Sequence, residues 1–169
     1  CGQVLLRHWP HWLRKIAHRS GIEPTALTRW LVFLLAIHDS GKFADGFQAL
    51  RPDLQTTLQA RSPQIAYDLR HDTLGYAVLM EVLPARLGRD PEDDWELDLL
   101  QPWIAAVTGH HGRPPLNKPT KAILARHFLP PVRADLDRFV QDVGALLSPD
   151  WCLPQPAPGV AEYQWQASW

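Results

Sequence analysis

An all-α fold of one domain, a helical bundle with its functional site where helix ends converge, is the architecture this sequence predicts. Three observations predict it. Apolar residues recur at helical spacing in segment after segment, proline and glycine punctuate the intervals, and no stretch alternates apolar with polar residues as a half-buried strand does.

Taken in order, Trp9 to His18 sets Trp9, Trp12, Leu13 and Ile16 on one helical face, and Ser20-Gly21 ends it. From about Thr25 a second helix reaches Ile37 through the unbroken apolar run Leu31 to Ile37, with Pro24 near its start, where proline is tolerated. Phe43 to Leu50 reads as a short helix closed by Arg51-Pro52. His71 to Leu83 carries Leu74, Ala77, Val78 and Val82, and Pro84 is expected to stop it. Arg89 to Asp94 reads as a charged loop. Trp95 to Thr108 places Leu97, Leu100, Ile104 and Val107 at helical spacing, with Pro102 either kinking the helix or marking a new start. Pro119 to His127 and Pro131 to Leu147 complete the set, the latter with Leu136, Phe139, Val140, Val143 and Leu147 on one face. From Pro149 the chain is Pro-rich and reads as irregular.

Composition narrows the function classes. A length of 169 residues suits one domain with a substantial core, and no linker-like run divides it. Seventeen basic and eighteen acidic residues give a net charge of -1, so no global positive field draws in nucleic acid, and any such binding is local, metal-mediated or helped by a partner. The two cysteines, Cys1 and Cys152, have no metal-ligand spacing and suggest a reducing compartment, so the cytoplasm is expected. No apolar run approaches the roughly 20 residues of a membrane span, and the N-terminus lacks a signal layout. The chain begins at Cys1, and Trp151, Trp165 and Trp169 in the Pro-rich tail 149–169 suggest a surface that packs against further sequence. The chain therefore reads as an excerpt of something longer.

The chemistry concentrates at His38-Asp39, in the run LLAIHDSGKFADGFQ. The apolar helix before the pair points it toward the interior, and a buried carboxylate is costly unless something pairs with it. A divalent cation would do so. Other histidines also fall at expected helix ends: His8 near the start of the first helix, His71 at the start of another, and His110-His111 after Thr108. Two divalent ions roughly 3.5–4 Å apart need about that many nitrogen and carboxylate donors and leave open positions for water and a phosphate oxygen. Neighbouring helical residues point about 100° apart, so one dipeptide can serve two ions, or one ion and an outer partner. Imidazole and carboxylate without thiolate favour manganese, iron, cobalt or nickel over magnesium. Asp72 reads as a helix cap, and His18 and His127 as surface or structural residues.

The order His, His-Asp-x-Gly-Lys, isolated His, Gly-His-His-Gly and Asp-Trp resembles the HD nuclease domain of the CRISPR-associated nuclease-helicase of type I interference, especially its Cascade-partnered branch. The closest wording is in LLAIHDSGKFADGFQ and WIAAVTGHHGRPP, and the resemblance covers about His8 to Trp151. It implies an all-helical, metal-dependent DNA phosphodiesterase acting chiefly on single strands fed by a helicase domain, in the same longer chain or a separate one, and recruited by a CRISPR surveillance complex. On that resemblance His38 and Asp39 match the defining ligands, His71 the isolated histidine of the second metal, and His110 and His111 the paired histidines. Asp150, in LLSPDWCL, matches a late aspartate ligand, although Pro149 stands where the family has alanine. His8 matches the first ligand, but the aspartate expected three residues on is replaced by His11, which competes for the role. Lys42 matches a lysine that meets the scissile phosphate and, with Asp39, forms the catalytic pair. The expected reaction is two-metal hydrolysis by an activated water, with no covalent intermediate. Two other readings share the ligand logic in whole or part: an HD phosphohydrolase of nucleotides or cyclic nucleotides, and a docking module whose metal site has decayed.

Overall fold

The chain is all-α, as its periodicity predicts. The computed structural model describes residues 7–8, 10–53, 65–87, 94–109, 111–112 and 121–147, and every regular element among them is helical. In order these are α1 (Pro10–Ser20), α2 (Pro24–Ile37), a 3-10 turn (Ser40–Phe43), α3 (Asp45–Gln48), α4 (His71–Arg86), α5 (Asp94–Thr108), α6 (Lys121–His127) and α7 (Pro130–Leu147). Among the described residues no single helix is long and apolar enough to cross a membrane. The Pro-rich tail expected from Pro149 lies outside the described residues, as does the expected charged loop up to Asp93.

The chain divides into two compact units, one holding the residues up to Ile37 together with those from Asp142, the other His38–Gln141. In the first unit α1 packs on α2. Leu13, Ile16 and Ala17 of α1 and Leu27, Trp30, Leu31 and Leu34 of α2 are buried, the i, i+3, i+4 spacing that lets each helix bury one face. The Ser20 hydroxyl donates back to the Ile16 carbonyl at 2.8 Å, and Gly21 follows at φ 66, the left-handed residue that commonly ends a helix. The next helix opens on Pro24, with the Glu23 carboxylate accepting the Ala26 N–H at 2.7 Å, so one otherwise free first-turn donor is satisfied.

In the second unit α4 is the central helix. It packs on the 3-10 turn, on α5 and on α6. Leu74, Tyr76, Ala77, Val78, Leu79, Val82 and Leu83 are all buried, an apolar surface that runs round the helix as expected for an element enclosed on several sides. Pro84 does not stop it. Proline removes one N–H but leaves every carbonyl able to accept; the helix continues to Arg86, and the Leu87 N–H returns to the Leu83 and Pro84 carbonyls at 3.0 Å each. Pro102 likewise neither ends α5 nor begins it, and the face carrying Leu100, Trp103, Ile104 and Val107 is buried. Asp45 of α3 is fully buried, and its Oδ2 accepts the Leu129 N–H at 3.0 Å just before α7 begins. There the carboxylate meets the positive end of a helix dipole, which offsets its loss of water.

The 3-10 turn and α4 meet backbone to backbone. A Cβ on Gly41 would stand 1.8 Å from the His71 carbonyl oxygen and 2.6 Å from the Gly75 nitrogen, and one on Gly75 would stand 3.1 Å from the Gly41 nitrogen. Only hydrogen fits between the turn and α4 at Gly41. Gly41→Ala is expected to lower unfolding stability by about 3 kcal/mol, because the obstacle is backbone and cannot rotate away. Gly75→Ala costs less, since the clash is milder and alanine recovers about 1 kcal/mol of helix propensity. Urea denaturation of both variants checks this ranking.

Candidate metal centre

The turn that Gly41 seats against α4 carries three of the chemically important side chains. His38 and Asp39 follow the last residue of α2, and the 3-10 turn begins at Ser40. The Lys42 N–H returns to the Asp39 carbonyl at 2.8 Å, which curls the chain and brings the Lys42 ammonium to 2.7 Å from Asp39 Oδ2. His38 Nε2 stands 3.3 Å from the same oxygen. His71, the first residue of α4, faces the other oxygen, with Nε2 3.5 Å from Asp39 Oδ1. His111, beyond the end of α5, completes the row with Nε2 3.1 Å from His71 Nε2 and the two rings edge to face at 5.0 Å. A tight turn presents His111: the Gly112 N–H returns to the Gly109 carbonyl at 2.9 Å, and Gly112 sits at φ 77, where a side chain would be strained.

Thus His38, Asp39, Lys42, His71 and His111 come together within the second unit. His110 and Asp150 lie outside the described residues. His8 and His11 belong to the first unit and are exposed there; Arg14 donates to His11 Nδ1 at 3.1 Å. Asp72, the neighbour of His71, is engaged otherwise. It is buried, and its carboxylate accepts two bonds from Arg70 Nε, at 3.0 and 3.1 Å, one from Arg70 Nη2 at 2.6 Å and the Thr73 N–H at 2.7 Å. Burial pulls its carboxyl upward, but Arg70 and the Thr73 N–H outweigh this and hold it below its usual value. The capping position itself is Arg70, whose side chain does not cap.

Do these donors suit a divalent ion? In kind they do: three imidazoles and a carboxylate, with no thiolate, are hard-to-intermediate donors. Protonation agrees, because burial pushes the His71 imidazole down, reinforced by Lys42 and His111 and opposed by Asp39, so that the ring stays neutral and keeps a lone pair. Spacing agrees pairwise. Two nitrogens each about 2.0–2.1 Å from one ion stand roughly 3 Å apart, and His71 Nε2 and His111 Nε2 are at 3.1 Å. Among the described residues no group of three or more His, Cys, Asp or Glu is gathered closely enough to hold one metal ion, so the fit is in donor type and in pairs. The donors run in a row, open on the side of the exposed His111.

Sequence reasoning missed the residues that support this row. Phe47 sets its ring edge-on to both His71 and Tyr67, each at 5.5 Å. Tyr67 places its hydroxyl 3.0 Å from the His71 N–H and 3.3 Å from His71 Nδ1. Beside it Asp68 ties the segment before α4 to α6, with its oxygens 2.9 Å from Arg126 Nη2 and 3.2 Å from His127 Nε2. His127 is therefore structural, and it is 1% exposed. The spacing Tyr67-x-x-x-His71 was the available signal for the first of these contacts; nothing local links Asp68 to His127.

A family model described as "Cas3, HD domain" matches residues 1–168. A solved structure described as "Crystal structure of CRISPR-associated protein" superposes with a TM-score of 0.63 at 24% sequence identity, covering 85% of this chain and 16% of that one. At that identity the likeness concerns the fold, and this chain spans about a sixth of the neighbour's length. No curated protein matches the chain.

Burial depresses the affinity of His127 for a proton, with Asp68 opposing and Arg126 reinforcing. The sign follows from linkage: below the ordinary value of 6.5 the unfolded chain takes up a proton that the folded chain refuses, so stability is full above 6.5 and declines as pH falls toward the folded value. His71 acts in the same direction. Urea midpoints at pH 7 and pH 5 are expected to drop on acidification, and His127→Gln to remove part of that drop.

Proposed function

Because the chain belongs to the Cas3 HD domain family, a family of metal-dependent hydrolases, we propose that it hydrolyses DNA phosphodiester bonds, chiefly in single strands, during CRISPR interference. The observation that carries this reading is the row His38, Asp39, His71 and His111, whose adjacent donors stand 3.1–3.5 Å apart. In this reading His38, Asp39, His71, His110 and His111 hold divalent ions, two by expectation, drawn from manganese, iron, cobalt or nickel. Bound ions supply Lewis acidity, which makes water a competent nucleophile at neutral pH.

The chain's own residues set the rest. Asp39 turns one oxygen toward His38 and the other toward His71, which would suit it to hold an ion on either side. Lys42 puts a full positive charge beside it, at 2.7 Å, where a phosphate oxygen gains charge as water attacks phosphorus and the sugar oxygen departs. The row opens beside the exposed His111, which suits a strand passing across it better than a small substrate enclosed by it. The near-neutral net charge gives little hold on a polyanion, so a partner delivers the strand. That partner is a helicase domain, in the same longer chain or a separate one, working with a CRISPR surveillance complex. The short span relative to the structural neighbour suits one module of such a machine.

Circular single-stranded DNA, which has no ends, tests the reading with manganese or cobalt present. The intact chain should cut it internally, and His38→Ala and Asp39→Ala should lose at least about 1000-fold in rate together with bound metal, since each removes a ligand. Phosphate release from nucleotides with no cutting of the circle would overturn the proposal. Lys42→Ala is expected to cut about 100-fold more slowly while binding metal at least as well, because it frees Asp39 from an ion pair.

A further inference from the structure

The near-neutral charge of the chain is not evenly spread. Between Arg7 and Ser20 there is no acidic residue, and α1 carries Arg14, Lys15 and Arg19 together with His11 and His18. All five are exposed, while Leu13, Ile16, Ala17 and Ser20 are buried on the opposite face. The exposed set follows the spacing i, i+3, i+4, i+7, i+8, so it forms one stripe along a helix about 16 Å long.

These cations also lack the partners that cations elsewhere have. Lys42, Arg51, Arg70, Arg86, Arg126 and Arg133 each face a carboxylate at 2.6–3.7 Å. Among the described residues no carboxylate pairs with Arg14, Lys15 or Arg19, and Arg14 meets the His11 imidazole instead. Helix electrostatics explain only part of the stripe. A positive charge in the last turn offsets the helix dipole, which suits His18 and Arg19, but Arg14 and Lys15 stand mid-helix. Lys15 and Arg19, one turn apart, repel each other, and an external anion would remove that repulsion.

The chemistry of the stripe narrows the kind of anion. A helix that lies in a membrane surface needs its apolar face free, whereas α1 uses Leu13, Ile16 and Ala17 to pack on α2. An acidic protein surface would use the charges but has no need of an exposed ring. Half-buried Trp12 borders the stripe, one and two turns before Lys15 and Arg19 on the same side of the helix. Cations that follow phosphates beside an aromatic ring that stacks on a base are the combination suited to a single strand.

We propose that the exposed stripe of α1 is a track for the phosphate backbone of single-stranded DNA, with Trp12 at its edge as a stacking platform for a base. The choice of DNA rests on the reaction proposed above; the charge pattern stands without it.

Binding of a short fluorescent single strand to the intact chain is followed by anisotropy across a range of salt, in EDTA so that no cutting occurs. Log affinity falls against log salt with a slope of about −0.7 per phosphate contacted, so Lys15→Gln with Arg19→Gln should flatten the slope by about 1.4 and weaken binding about 10-fold at low salt. Lys121→Gln with Arg138→Gln removes the same charge from exposed positions of α6 and α7 and should leave the slope unchanged. Trp12→Leu should bind about 10-fold more weakly with the slope kept. Circular dichroism checks folding, and the exposed α1 pair decides alone if Trp12→Leu does not fold. Equal flattening by both pairs, or none by either, overturns the track, as does tighter binding of anionic vesicles or polyglutamate than of the strand. Unchanged affinity in a folded Trp12→Leu overturns the stacking role. A chain that binds the strand without cutting circular DNA overturns the proposed reaction and leaves the track; one that cuts, with a slope indifferent to the α1 pair, overturns the track alone.

Discussion

The contact between Gly41 and the start of α4 is the constraint on which the second unit depends. It joins two backbones with no side chain between them, at a spacing that any Cβ on Gly41 would violate. One strand of the contact carries His38, Asp39 and Lys42, and the other begins with His71, so the distance from Asp39 to His71 is set by peptide atoms rather than by flexible side chains. Close-packed interiors transmit displacement. A displacement at Gly41 is therefore passed on to the residues that the turn and α4 carry. The glycine of the HDSGK run thus belongs to the site as much as the histidine does, although it offers no ligand atom.

Around that contact the electrostatics are arranged as competition. Asp39 is courted by Lys42, His38 and His71, and the Lys42 ion pair is the shortest of the three contacts. Asp72, next to His71 in sequence, is withdrawn from the site by Arg70 and the Thr73 N–H. Two adjacent carboxyl-bearing dipeptides, His38-Asp39 and His71-Asp72, thereby serve different ends. In one the carboxylate faces the row; in the other it stabilises the helix start that presents the histidine.

Much of this was legible in the chain. The helices follow from apolar spacing, and the α2, α6 and α7 boundaries lie within two residues of those read from sequence. Pro84 misled because its missing N–H and the crowding of the carbonyl four residues back are offset in an enclosed helix whose last turn buries Leu83 and Pro84. That His38, Asp39, His71 and His111 would come together was legible from histidine and aspartate at helix ends. Their supporters were not. Tyr67, Phe47 and the Asp68–His127 pair act through contacts between residues whose types are ordinary in any helical protein, and the Asp68 contact spans 59 positions.

The wide separation of the donors along the chain has a consequence in time. His71 and His111 meet across 40 residues, a loop whose closure carries an entropic cost that local helix formation does not repay. Individual helices form within microseconds, whereas contacts of this range wait for docking of the elements between them. The row of donors is therefore among the last features to assemble. A nascent or half-folded chain carries the histidines apart, and His71 and His111 meet only once α4 and the end of α5 have come together.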